Sequence, residues 1–165
     1  FARGPIHKRM YYKIIDDNKF EIPPYSRAYE VRSQAKLEAD SHLIAMFSHM
    51  HLRGKDMSFI AHYPDGKDEL LMSLPNYNFN WQLAYHVDPG VKPLPAGTKV
   101  EVISHFDNST FNPYNPDPAK AIKEGPQTVD EMMQGFMFYT KNDENLNLQI
   151  DPKTGFEIKA LAENK

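Results

Sequence analysis

The chain has 165 residues, 41% of them hydrophobic and 12% aromatic, enough for one domain with a real core. Its 19 Lys and Arg against 22 Asp and Glu give a net charge of −3, and no basic stripe stands out, which argues against nucleic acid as a partner. No apolar run approaches the ~18 residues that a membrane helix needs, and the absence of cysteine removes disulfides, thiolate chemistry and Cys-type zinc sites together.

In chain order, residues 1–26 read as an extended N-terminal arm with one short strand at Met10 to Ile15, ended by Ile22-Pro23-Pro24. The remainder, 27–165, reads as one β-domain. Arg27 to Lys36 alternates and is expected to be a strand. Leu43 to His51 is the strongest strand, with Leu43, Ala45, Phe47, His49 and His51 expected on one face. Met57 to Tyr63 and Glu69 to Leu74 flank Pro64-Asp65-Gly66-Lys67, a hairpin signal in which Asp65 and Asp68 are turn chemistry. Trp81 to Val87 alternates as a further strand, followed by turns at Asp88-Pro89-Gly90 and Pro95-Ala96-Gly97 and a strand at Thr98 to Phe106. Asp107 to Gln127 is a long Asn- and Pro-rich loop with at most one helical turn near Pro118 to Lys123, and loops of that length inside compact domains are usually functional or packed as lids. Met132 to Tyr139 is the last clear strand, with a weaker one at Phe156 to Leu161 in a polar tail. Seven or eight strands and hardly any helix predict an all-β, antiparallel sandwich.

Chemistry concentrates at His49-Met50-His51, followed by Gly54-Lys55 and, about eighty residues later, by Asp130-Glu131-Met132. Two histidines one residue apart on a strand project from the same face. A thioether from a distant strand completes a two-nitrogen, one-sulfur donor set that suits cuprous copper, whereas zinc is held by N, S⁻ and O donors. Of the adjacent Met132 and Met133, only one can reach a shared point, because side chains alternate along a strand. If Met132 points inward with Phe136 and Phe138, Met133 points outward with Met137 and Tyr139. The other methionines, among them Met46, Met57 and Met72, are expected to be core filler.

This pattern, His-x-His-x-x-Gly-Lys and then Asp-Glu-Met before an aromatic strand, resembles the C-terminal, oxygen-binding domain of the copper type II, ascorbate-dependent monooxygenases, the peptidylglycine hydroxylating and dopamine beta-monooxygenase family. The resemblance covers roughly His42 to Tyr139 and points to a bacterial member. It implies a jelly-roll-like sandwich and a single copper held by His49, His51 and Met132, with His105 as a candidate fourth ligand at the site rim. It also implies dioxygen activation for C–H hydroxylation of a small-molecule or peptide substrate, with ascorbate or another electron donor. Gly54 is expected to permit a tight turn of positive φ, and neither Gly54 nor Lys55 carries a catalytic role in this reading.

The family's second copper sits on three histidines of a preceding domain. His7, His42, His62, His86 and His105 contain no His-His pair, so a second redox domain or subunit, carrying copper, haem or a redoxin, is the expected partner. A periplasmic or extracellular location, with a signal peptide already removed, is expected. Two other readings follow from the same residues: a copper-binding or electron-handling module without hydroxylation, and a structural jelly roll that keeps the motif. Tyr77, Phe79 and Trp81 are candidates for a substrate platform, although strand aromatics are usually core. Asn108-Ser109-Thr110 fits the N-glycosylation pattern.

Overall fold

The computed structural model describes residues 4–158, and among them there is no helix. Eleven strands form: β1 (Tyr11–Asp17), β2 (Glu21–Ile22), β3 (Tyr29–Lys36), β4 (Ser41–His49), β5 (Gly54–His62), β6 (Asp68–Leu74), β7 (Ala84–His86), β8 (Pro93–Leu94), β9 (Lys99–Phe106), β10 (Ile122–Lys123) and β11 (Met133–Lys141). One sheet runs β1-β11-β4-β7, with β8 also on β4; the other runs β3-β9-β5-β6; β2 and β10 form a two-stranded ribbon. Every ladder between these strands is antiparallel. Neighbouring strands in each sheet are mostly distant in sequence. The chain therefore crosses repeatedly from one sheet to the other, which is the jelly-roll way of closing a sandwich.

Alternation explains the core. Val100, Val102 and Phe106 of β9, Met57, Phe59 and Ala61 of β5, and Met133 and Met137 of β11 all point between the sheets and are buried. The hairpin is as expected: β5 pairs with β6 across a turn in which Gly66 takes φ 87°. Gly135 has a different reason to be glycine. It lies on the inner face of β11, where an added Cβ would stand 2.6 Å from Val102 Cγ2 and 2.9 Å from the Phe59 ring. The two sheets meet there at backbone distance.

Several expectations need correction. The segment expected as an arm contributes β1, which pairs along its whole length with β11 and buries Ile15, so it belongs to the first sheet. The strand expected over Trp81 to Val87 shrinks to Ala84–His86, and Trp81, Leu83 and Tyr85 are exposed. In β4 the odd positions do not share a face. The ladder to β11 steps from Ala45↔Phe138 to Leu43↔Tyr139, leaving Ile44 as an extra residue. This bulge reverses the parity, so Leu43 is core, whereas beyond it Met46, Ser48 and Met50 are core and Phe47 and His49 turn to the outer face. The long loop is not wholly irregular: its Ile122 and Lys123 pair with β2. The strand expected at Phe156 to Leu161 lies partly outside the described residues, and what is described is one isolated bridge between Ile150 and Glu157.

Two measurements test this packing. Gly135→Ala is expected to destabilise the fold by about 1–3 kcal/mol through overpacking, seen as a lower urea midpoint at unchanged slope. His62, on β5, holds Asp68 at 2.7 Å and Glu101 at 3.2 Å, and the Asp68 carboxylate above all lifts its pKa above the ordinary 6.5. Because the folded value is the higher one, its stabilisation is complete below pH 6.5 and is lost as pH rises through the raised value. An NMR titration of the His62 ring is expected to show this, and Asp68→Asn is expected to bring the midpoint back down.

Candidate metal centre

β4 ends at His49, and the chain then leaves the first sheet, turns over His51 to Gly54 and enters the second sheet as β5. The two imidazoles stay together through this crossing, with ring centroids 5.0 Å apart and planes at 82°. His49 is half-buried and His51 is 5% exposed.

Both rings are held by the same nitrogen. His51 Nδ1 lies 3.2 Å from the Asp130 carbonyl, which can only accept, so Nδ1 carries the proton. His49 Nδ1 lies 2.7 Å from Gln82 Oε1, and the Gln82 amide is oriented by its Nε2 donating to the Phe79 carbonyl at 2.8 Å. The oxygen therefore faces His49, whose Nδ1 is again the donor. In both rings this leaves Nε2 as the nitrogen able to coordinate, the arrangement that outer hydrogen bonds impose on metal-binding histidines. Burial pushes the His51 pKa below its ordinary value, with the neighbouring His49 adding to the shift and the Asp130 carbonyl opposing it. Burial thus favours the neutral ring, the form in which an imidazole can be a ligand.

Met132 sits just before β11. On that strand Met133 and Met137 fill the core, so the facing is the reverse of the expectation. Met132 shares its parity with Gln134 and Phe136, on the face that carries Phe47 and His49. Gln134 is the register partner of His49, where the ladder between β11 and β4 ends, and Met132 lies two residues before it on the same parity. The sandwich thus assigns the two adjacent methionines different tasks, one to the core and one to the histidine face.

His105 goes elsewhere. It lies on β9 of the second sheet, where its Nδ1 is 2.6 Å from Asp56 and its Nε2 is 3.4 Å from Glu30. Alternation around the buried Ser104 and Phe106 turns it to the outer side of that sheet, away from the histidine pair, so it is not at the rim of the site. Gly54 also differs from the expectation. It has no positive φ, and its need for glycine is steric: an added Cβ would come within 2.7 Å of both Met50 Cβ and the Tyr77 ring. Asn108 of the glycosylation pattern is fully buried and hydrogen-bonded, so it is no acceptor as folded.

The residues that sequence reasoning missed are those under the site. Glu131 is fully buried and accepts the backbone N–H of His51 at 2.8 Å on one oxygen and that of Arg53 at 2.6 Å on the other. Arg53 is 1% exposed; its guanidinium lies 3.9 Å from Glu131 and donates to Asn108 Oδ1 and the Val129 carbonyl. Burial pushes the Glu131 carboxyl up to about 7, against the pull of the two N–H donors and the guanidinium. Asn108 in turn donates to the Pro23 and Lys120 carbonyls, and Asn112 to the Leu52 carbonyl, which packs the long loop onto the crossing turn. Tyr77 closes the other side, its hydroxyl donating to the Met50 carbonyl and accepting from the Met50 N–H. The only sequence signal for this network was the Glu of Asp-Glu-Met and an arginine beside the histidine pair.

Among the described residues no group of three His, Asp or Glu side chains is placed to hold a metal ion. No family model matches the chain, and no curated protein matches it.

Replacing Glu131 by Gln is expected to cost about 3 kcal/mol, because Arg53 is left as a buried charge without its partner. A urea titration measures it directly; a loss under about 0.5 kcal/mol would mean that Glu131 is not a structural clasp.

Proposed function

We propose that this chain is a copper-binding domain in which His49, His51 and Met132 hold one ion that serves dioxygen activation and C–H hydroxylation within a larger protein or complex. One observation carries the reading: two neighbouring imidazoles, 5.0 Å apart between ring centroids, are both pinned at Nδ1, and Met132 has the parity of the face that carries His49. The donor set fits the metal. Neutral imidazoles are borderline ligands and a thioether is soft, a combination that favours Cu(I) over Zn(II) and leaves coordination positions open. When bound, copper would supply one-electron chemistry toward oxygen. The protein's part is to fix the tautomer through Gln82 and the Asp130 carbonyl and to exclude water around His51.

The substrate reading rests on the outer face of the first sheet. Phe47 and Phe136 meet edge to face there at 5.4 Å, in the strand positions next to His49 and Gln134. An apolar or aromatic portion of a small molecule or peptide would find contact on that face beside the metal. The same face continues to Ile14 and Tyr12, both well exposed, and this supports a second redox domain or subunit covering it, with ascorbate or another donor as the source of electrons.

A second reading also has support. His62, His105, His42 and His7 are each held by carboxylates or by asparagine, and none lies in a second cluster among the described residues. A copper or electron-handling module without hydroxylation is compatible with that, and turnover of a C–H substrate with ascorbate would exclude it. The described residues contain no helix long and apolar enough to cross a membrane.

Copper titration tests the assignment. His49→Ala or His51→Ala is expected to abolish stoichiometric binding while the fold persists. Met132→Ala is expected to weaken Cu(I) by tenfold or more, and Cu(II) far less; equal loss of both oxidation states would contradict a thioether ligand. Met133→Ala is expected to leave copper affinity unchanged and to destabilise the core by about 2–5 kcal/mol.

A further inference from the structure

Beside the histidine pair, the segment Asn76-Tyr77-Asn78-Phe79-Asn80-Trp81 alternates amide and aromatic side chains. It is not a strand, and of its aromatic rings Tyr77 packs against the core; the three asparagines are exposed, and so is Trp81, at 68%. The segment separates two adjoining clefts that share Asn76, Tyr77 and Asn78. The larger, of about 230 Å³, opens toward Phe111 and Tyr114, which are 71% and 60% exposed. The smaller, of about 180 Å³, opens toward Trp81 and Tyr85. The two clefts lie side by side along this segment, with exposed aromatic rings lining each and the amides of Asn76 and Asn78 shared between them.

We propose that these clefts bind a neutral oligosaccharide. The walls supply the two kinds of contact that a sugar chain needs. Exposed rings receive the apolar C–H faces of pyranose units. Primary amides present a donor and an acceptor side by side, which matches adjacent hydroxyls. The Asn76 and Asn80 amides make no hydrogen bond among the described residues, and the Asn78 side chain uses only its oxygen, on Asn80 N–H. These groups are exposed and without partners on a segment that is otherwise fixed, since the Tyr77 N–H donates to the Lys55 carbonyl and the Tyr77 hydroxyl to Met50. The Arg27 guanidinium holds the Phe111 ring at 4.5 Å. Charge is balanced: Lys55 and Asp107 both line the larger cleft, which favours an uncharged ligand. Two adjoining clefts suit a chain of several units better than a monosaccharide. Unlike a peptide-binding edge, the clefts offer side-chain amides as their free hydrogen-bonding groups. The inference is independent of the copper reading, because no copper ligand lines either cleft.

Trp81 is the only tryptophan, so its fluorescence reports on the clefts. The chain is titrated to roughly 10 mM with cellohexaose, xylohexaose, mannohexaose, maltohexaose and chitohexaose, with the matching disaccharides, and with a mixture of random hexapeptides, and calorimetry is run in parallel. We expect at least one hexasaccharide to bind saturably and more tightly than its disaccharide. Phe111→Ala and Asn76→Ala, both at exposed positions, are each expected to weaken it about tenfold or more. The proposal is overturned if no hexasaccharide binds by either method, if binding is indifferent to both substitutions, or if the peptide mixture binds as well as the sugars.

Discussion

The Glu131 carboxylate is the contact on which the centre of this molecule depends. The chain must leave one sheet after His49 and enter the other at Gly54, and in doing so it takes the backbone N–H groups of His51 and Arg53 out of reach of either ladder. A buried N–H without a partner costs about as much as several good contacts return. Glu131 accepts both, one on each oxygen, from the residue immediately before Met132. A requirement of backbone satisfaction therefore ties the segment that carries Glu131 to the backbone of His51, the second imidazole. Arg53 balances the buried charge, and Asn108 passes the arginine's hydrogen bonds on to the long loop. The loop is thus part of the foundation of the site and not a lid over it.

From that contact the division of labour along β11 follows. Successive side chains must alternate, so a methionine that fills the sandwich and a methionine that reaches the histidine face can be neighbours in sequence without competing. Met133 and Met137 face the valines and phenylalanines of β5 and β9, and Gly135 between them lets the sheets approach. Met132 remains on the outer parity with Gln134 and Phe136. The same rule disposes of His105, whose strand belongs to the other sheet and whose parity turns it toward Asp56 and Glu30.

Much of this was legible in the sequence. Period-2 alternation, the Pro-Asp-Gly-Lys turn and the near-absence of helical patterns indicated an antiparallel sandwich, and the histidine pair and Met132 stood out by residue type. What was not legible has physical causes. The bulge at Ile44 is a single unpaired residue in an unbroken apolar run, so the parity of β4 read the same with or without it. β1 looked like an arm because its value lies in pairing with a strand more than a hundred residues away. Nothing local marks Glu131 and Arg53 as buried, since burial of an ion pair is decided by the crossing turn and not by local composition. The alternation of Trp81 to Val87 read as a strand, yet Trp81, Leu83 and Tyr85 are exposed and only Ala84–His86 pairs.

The claim that the clasp brings a thioether to the imidazole pair is tested most directly by X-ray absorption on the protein loaded with one equivalent of Cu(I). The account predicts a shell of two imidazole nitrogens and one sulfur per copper. A shell of nitrogen and oxygen alone would contradict it.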